Sequence, residues 1–274
     1  MRVYIPMEFV YSFLFFTKLF NGENLMKKLT LILTLLTSTL TLAERIAIIG
    51  AMDSEIKILL SQMKDVKKEE KASIAFYKGK LENKDVVVFK SGIGKVNAAM
   101  GTTIAMEEYN VNKIIFTGVA GATNNNLNIT DVVISDYLVQ HDYDTTVFGT
   151  KKGAVPGSVD TKFSADENLI KIAKNSAEKV LGKNKVYIGT IATGDQFIAD
   201  KTTVQSLETT FGAWAVEMEG ASVAHVANLY RVPVVVIRSI SDKADGSAHM
   251  NYSDFVTIAA DNSAKIVMDM LTQI

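Results

Sequence analysis

The sequence predicts an α/β fold: a single domain with a central, mixed, mostly parallel twisted sheet flanked by helices. Two patterns predict it. From Arg45 onward, short apolar runs alternate with stretches of helical spacing, the order expected of βα units. The apolar runs are near-continuous rather than alternating, as in "RIAIIG" and "VPVVVI", so both faces of each strand are covered, as in parallel sheets. No linker, repeat or low-complexity stretch follows residue 43, and the chain has only three prolines, which favours one domain over 44–274.

Taken in order, "RIAIIGAM" (45–52) is a buried strand closed by Gly50. "DSEIKILLSQM" (53–63) spaces Ile56, Leu59, Leu60 and Met63 as one helical face. "SIAFYKGKL" and "KDVVVFKSG" are strands joined at a turn over Glu82, Asn83 and Lys84. "KVNAAMGTTIAMEEY" is helical, and "KIIFTGVAGA" is a strand running into a glycine loop. "DVVISDYLVQHD" is a strand. "DENLIKIAKNSAEKVL" is a helix with an acidic start. Then follow the strand "KVYIGTIATGDQF", the helix "TVQSLETTF", the strand "AWAVEME" and the helix "GASVAHVANLY". "VPVVVIRSISD" is a strand rich in β-branched residues, and residues 252–274 form a closing amphipathic helix.

Ligands of such folds sit beyond the carboxyl ends of the strands. Those ends here hold Gly50-Ala51-Met52 with Glu55, Ser91-Gly92-Ile93-Gly94, Thr117-Gly118-Val119-Ala120-Gly121, Thr193 to Ile198, Glu217-Met218-Glu219 and Ser239-Ile240-Ser241-Asp242. Carboxylates and glycines are thus expected at one sheet edge. Carboxylates entering a core need a partner or a proton, and packing alone asks for none of these. Glycines let main chain approach a ligand closely, Phe197 can stack on a planar ring, and a carboxylate accepts two hydroxyl donors well. Two further carboxyl groups with opposed protonation can serve as base and acid. Taken singly, each feature has a plainer use: Glu55 beside a helix N-terminus, Asp242 as a cap, Phe197 as core, the glycines as a phosphate cradle. Glu217 and Glu219 share strand parity, so both are expected on one face. His141 and His225 are expected to be packing residues.

Composition narrows the function further. The net charge is −1 and no basic run exceeds Lys67-Lys68, so nucleic acid is not an expected partner. The absence of cysteine excludes disulfides, thiolate metal sites and a cysteine nucleophile. The three histidines do not cluster in sequence, and neither a metal nor a cofactor is expected. The N-terminus has a separate logic. Lys27-Lys28, the apolar run 29–42 and Thr41-Leu42-Ala43 form a charged region, a hydrophobic region and a small-residue cleavage site. The run is short for a membrane span. Residues 26–43 are therefore expected to be a signal peptide, 1–25 an over-extended start before Met26, and the mature chain to begin at Glu44 with no stable span. An uncleaved anchor is the alternative. Residues 44–274 carry 25 basic and 28 acidic side chains.

Six ordered stretches, "IAIIGAMDSEI", "SGIGKVNAA", "TGVAGA", "ATGDQFI", "VEMEGASVAHVA" and "RSISDKAD", resemble the motifs of the 5'-methylthioadenosine/S-adenosylhomocysteine nucleosidases, within the nucleoside phosphorylase/nucleosidase superfamily. The resemblance spans residues 45–273 and implies a nucleoside phosphorylase-like fold. It implies hydrolysis of an N-glycosidic bond with release of adenine. Glu55 is implied as the base that activates water, and Asp242, steadied by Ser241, as the acid that protonates adenine N7. Met218 and Glu219 are implied ribose contacts, with Glu217 ordering the strand end. Phe197 and the main chain of Ile198 are the implied purine platform. Ile93, Ala120 and Gly121 are implied to line the pocket, and Arg238 to sit near the water. A second subunit is implied to complete the site through Phe148 and Pro156, making the protein a homodimer. Val119 departs from members with serine there, and main-chain contacts survive that change. The leader is the larger departure, because the family is mostly cytoplasmic; the sequence points to export, with the cytoplasm as alternative. Three other readings remain open: a phosphorylase of the same fold, an aminodeoxyfutalosine hydrolase, and an exported nucleoside-binding protein without catalysis.

Overall fold

The computed structural model describes residues 45–156, 158, 161–244 and 248–274, with the helical backbone alone over 248–254. The expected over-extended start and signal peptide lie outside the described residues. Among the described residues no helix is long and apolar enough to cross a membrane.

Strands β1 (Arg45–Gly50), β4 (Lys84–Lys90), β5 (Val111–Ala122) and β10 (Val234–Asp242) run parallel through the centre. The hairpin partners β2 (Lys64–Lys71) and β3 (Ile74–Leu81) extend one side. On the other, β6 (Val132–Gln140), β8 (Val186–Thr193) and β9 (Ala213–Glu217) run in the opposite sense. β10 pairs with both β5 and β6, and β9 returns to β5, so these five strands close on themselves. A two-residue β7 (Phe163–Ser164) pairs with β6.

Alternate residues of each central strand enter two different cores. Ala47, Ile49, Val87, Phe89 and Phe116 pack against α2 (Lys95–Tyr109) and α5 (Gly220–Tyr230). Ile46, Ile48, Val86, Val88 and Ile115 pack against α1 (Asp53–Gln62), α3 (Glu167–Leu181) and α6 (Ala248–Leu271). That is why the strands are apolar at every position. A third cluster sets Leu207 and Phe211 of α4 (Lys201–Phe211) against Val139, Ala192 and Val216.

Three expectations change. β2, "KDVKKEEK", is a strand that no apolar pattern announces: nearly all of it is exposed, because it is a sheet edge. The supposed glycine loop after Phe116 is strand as far as Ala122, paired with β10 from Arg238↔Gly118 to Asp242↔Gly121. Its glycines serve space rather than turning. The strand ends also do not share one edge, since β8 and β9 run against β1, β4, β5 and β10. Closure of the sheet brings both sets of ends together instead. β9 meets β5 only at Gly121↔Val216 and Ala122↔Ala215, so its C-terminus comes back alongside Val119–Gly121.

Candidate active site

A cavity of about 300 Å³ opens where those ends converge. Glu55, Glu219, Asp242 and Ser241 line it, with Met218 and Glu217. Ile93, Ala120 and Gly121 form further wall, and Phe197 and Ile198 complete it. Val119, the position that departs from serine, also lines it, as do Ala51, Met52, Gln196 and Val216, which the sequence does not mark as contacts. They lie within the recognised motifs, which is the signal that points to them.

Glu55 stands one turn into α1, 1% exposed. Its Oε2 accepts from the amides of Ala51 (2.6 Å) and Met52 (3.0 Å), and Oε1 accepts from Val119 N (3.1 Å). Burial pushes its pKa up from 4.5, while the Arg238 charge and the three amides oppose that rise. A Cβ at Gly118 would overlap Arg238 Nη1 and stand 2.6 Å from Glu55 Oε1. Only glycine lets acid and guanidinium meet over the strand.

Asp242 ends β10 at a bulge. Ile240 pairs with Ala120 and Asp242 with Gly121, leaving Ser241 as the extra residue. A bulge re-aims the side chains beside it. Asp242 Oδ2 accepts from Ser241 Oγ (2.9 Å) and Oδ1 from Ala244 N (2.8 Å). Gly121 leaves room for that carboxylate, 2.9 Å from where its Cβ would be.

Glu217 and Glu219 converge, though not by strand parity. β9 stops at Glu217, and Glu219 caps α5 outside the strand. Glu217 accepts from Thr193 Oγ1, from Glu219 N (3.2 Å), from Gly220 N (2.7 Å) and from Arg238 Nη2. It therefore ties the end of β9 to the turn into α5. Glu219 Oε1 accepts from Gly94 N (2.8 Å), and its Oε2 lies 3.5 Å from Arg238 Nη2. Its pKa is pushed up to about 7, first by burial and then by the Glu217 charge, with Arg238 opposing.

Arg238 meets Glu55 over Gly118. It is not among the residues lining the cavity. Fully buried, it stands behind Glu217 and Glu219 with its guanidinium 4.2 Å from the Phe116 ring. An arginine taken out of water is held by the carboxylates around it. Phe148 and Pro156 are also apart from the cavity. Both are exposed, Phe148 by 83%. His141 is buried against Gly194, and His225 stacks on Phe163 at 4.5 Å; both are packing residues.

The description "Phosphorylase superfamily" fits residues 45–272. A 5'-methylthioadenosine/S-adenosylhomocysteine nucleosidase of Bacillus thuringiensis subsp. konkukian is 42% identical over 233 residues, 84% of this chain and 99% of the relative. The nucleosidase of Neisseria meningitidis, solved with methylthio-immucillin-A, is 37% identical with a TM-score of 0.81, covering 84% of this chain and 100% of that one. A futalosine hydrolase of Helicobacter pylori is also 37% identical, with a TM-score of 0.80 over 85% of this chain and 99% of its own. The ordered motifs, the closed sheet and these likenesses agree: the chain belongs to the phosphorylase superfamily and, within it, to the 5'-methylthioadenosine/S-adenosylhomocysteine nucleosidase family.

Proposed function

We propose that the protein hydrolyses the N-glycosidic bond of 5'-methylthioadenosine and S-adenosylhomocysteine, releasing adenine and the 5'-thio-ribose. One observation carries the choice of water over phosphate. The cavity wall contains Glu55, Glu217, Glu219 and Asp242 and, among the described residues, no lysine or arginine. Such a wall repels a dianionic nucleophile and accepts a neutral one. The nearest guanidinium, Arg238, is already engaged by Glu217 and Glu219.

Cleavage of C1'–N9 builds positive charge on the ribose and negative charge on adenine. Asp242 donates a proton to N7, so that the base leaves neutral. Glu55 takes the proton of a water arriving at the opposite face. Its Oε1 accepts one amide at 3.1 Å and keeps a lone pair for that water. An acid on one side and a base with room for water on the other is the arrangement of an inverting glycosidase. Glu219 accepts the ribose hydroxyls, Met218 packs on the sugar, and Phe197 and Ile198 hold the purine. Adenine release from 5'-methylthioadenosine, measured with and without phosphate, tests the reading. Release independent of phosphate is expected; strict dependence on phosphate would make the protein a phosphorylase, and no release a binding protein. The likeness to a futalosine hydrolase makes an aminodeoxyfutalosine the second substrate to assay.

Two further parts of the reading concern the whole chain. The protein is a homodimer in which Phe148 and Pro156 complete the neighbouring site. The leader directs export, so the mature chain starts at Glu44 outside the cytoplasmic membrane. The charged and apolar regions before Ala43 support this. Terminal sequencing of native protein is expected to begin at Glu44; an intact Met1 or Met26 in the cytoplasmic fraction would overturn export.

A further inference from the structure

The N-terminus of α2 receives carboxylates from two different loops. Gly94 N donates to Glu219 Oε1 at 2.8 Å, and the next amide, Lys95 N, donates to Asp195 Oδ1 at 2.8 Å. Both amides belong to the unpaired first turn of a helix, where negative charge is favoured. Glu219 lies in the turn into α5; Asp195 begins the loop that presents Phe197 and Ile198. The Asp195 amide donates in turn to Asp142 Oδ2 at 3.0 Å. Asp142 Oδ1 accepts from Lys95 Nζ at 2.6 Å, and Gln140 Oε1 stands 3.4 Å from the same ammonium. The chain of contacts thus closes on itself through Lys95, Asp195 and Asp142. Lys95 and Asp142 are largely withdrawn from solvent, with side chains 19% and 22% exposed, so their pairing is less screened than a surface ion pair.

We propose that Lys95, Asp142 and Asp195 are positioning residues that hold the purine loop and the Glu219 carboxylate in one frame, with the α2 N-terminus as their common anchor. The proposal rests on the nucleosidase reading for what the two arms hold. None of the three lines the cavity, so they act through Glu219 and the 196–198 loop. Gly94 has φ +96°, and its Cβ position stands 3.0 Å from Asp195 Oδ1, so the close approach of anchor and loop needs glycine there. The consequence is linkage. Slackening the clamp loosens base and ribose contacts together, in the ground state as well as the transition state. Such a change raises KM more than it lowers kcat.

The test uses full-length Lys95→Met and Asp195→Ala, the latter on an exposed side chain, each first checked for native circular dichroism. Adenine binding is measured by calorimetry, and KM and kcat are measured with 5'-methylthioadenosine. The adenine dissociation constant is expected to rise about tenfold in each variant, as for a lost charge-assisted hydrogen bond. KM should rise at least as far, and kcat should fall by less. The double variant should be no worse than the poorer single, since one clamp is broken either way. Folded variants that keep adenine affinity and KM within about twofold of wild type would overturn the proposal. So would a loss confined to kcat or to thermal stability. Failure of the wild type to release adenine would refute the nucleosidase reading instead, and the adenine-binding arm would still decide the clamp.

Discussion

Glu55, Glu217 and Glu219 surround a single buried guanidinium, so the interior end of β5 has more carboxylates than cations to match them. Burial, with the Glu217 charge added to it, raises Glu219 from 4.5 to about 7. A carboxyl whose folded pKa lies above its unfolded value contributes stability below the unfolded value and loses it as pH rises through the folded one. The substrate-free protein is therefore expected to lose roughly 3 kcal/mol between about pH 4.5 and 7. Glu219→Gln should flatten that decline in unfolding curves measured across the range; an unchanged slope would assign the proton elsewhere. Glu55 is raised in the same direction, so the acidic limb of kcat/KM is expected above 4.5. General acid–base groups contribute about 10²–10⁴-fold. Glu55→Gln and Asp242→Asn are each expected to lose that range while still binding substrate. An active Glu55→Gln protein would remove the water-activation role. The sequence shows these acids at the ends of apolar strands, but not their neighbours. Arg238 reads as a candidate contact, and only the alternation of β10 opposite Gly118 shows that it faces inward, behind Glu217.

At the level of elements, the central strands and most helices were legible because each buries a face that its sequence must pattern. β2 was not, since an edge strand with both faces wet needs no apolar period, and its ladder is set by the neighbouring β3. The glycine-rich end of β5 read as loop because glycine usually marks turns; here it marks contact with Arg238, Glu55 and Asp242. The site was read as one edge for a related reason: strand direction depends on how the sheet closes, which local pattern does not encode. The β3–β4 turn was legible, and its backbone makes a prediction. Glu82 and Asn83 have φ of 48° and 61°, the left-handed pair of a two-residue hairpin turn that Asn-Gly suits best. Glutamate in that conformation costs about 1 kcal/mol. Replacing the pair, Glu82→Asn with Asn83→Gly, should raise unfolding stability in urea by about 1 kcal/mol. Activity should be unchanged, as neither residue lines the cavity.

For the whole molecule, the exposed apolar side chains call for a partner. Val96 and Met100, four residues apart on α2, share a face, with Val96 77% exposed, and Ile93, also exposed, lies in the turn just before the helix. Val147 and Phe148 are more exposed still, at 85% and 83%, in the 3₁₀ turn Thr146–Phe148. None of the three residues of that turn is buried, and an aromatic without a local core gains by covering another surface. Ile93 also lines the cavity, so the exposed apolar surface at the start of α2 adjoins the site wall. A twofold dimer that covers this face brings partner side chains to the cavity mouth. The 5'-substituent of the substrate would then lie between subunits. A methylthio group buried there gains about 0.8 kcal/mol per buried carbon, a few-fold in affinity. Phe148→Ala is expected to weaken binding of 5'-alkylthio nucleosides by that factor and to affect adenosine less, because adenosine has no apolar substituent to bury. Sedimentation at assay concentration should show a dimer; a fully active monomer would mean that each site is complete within one chain.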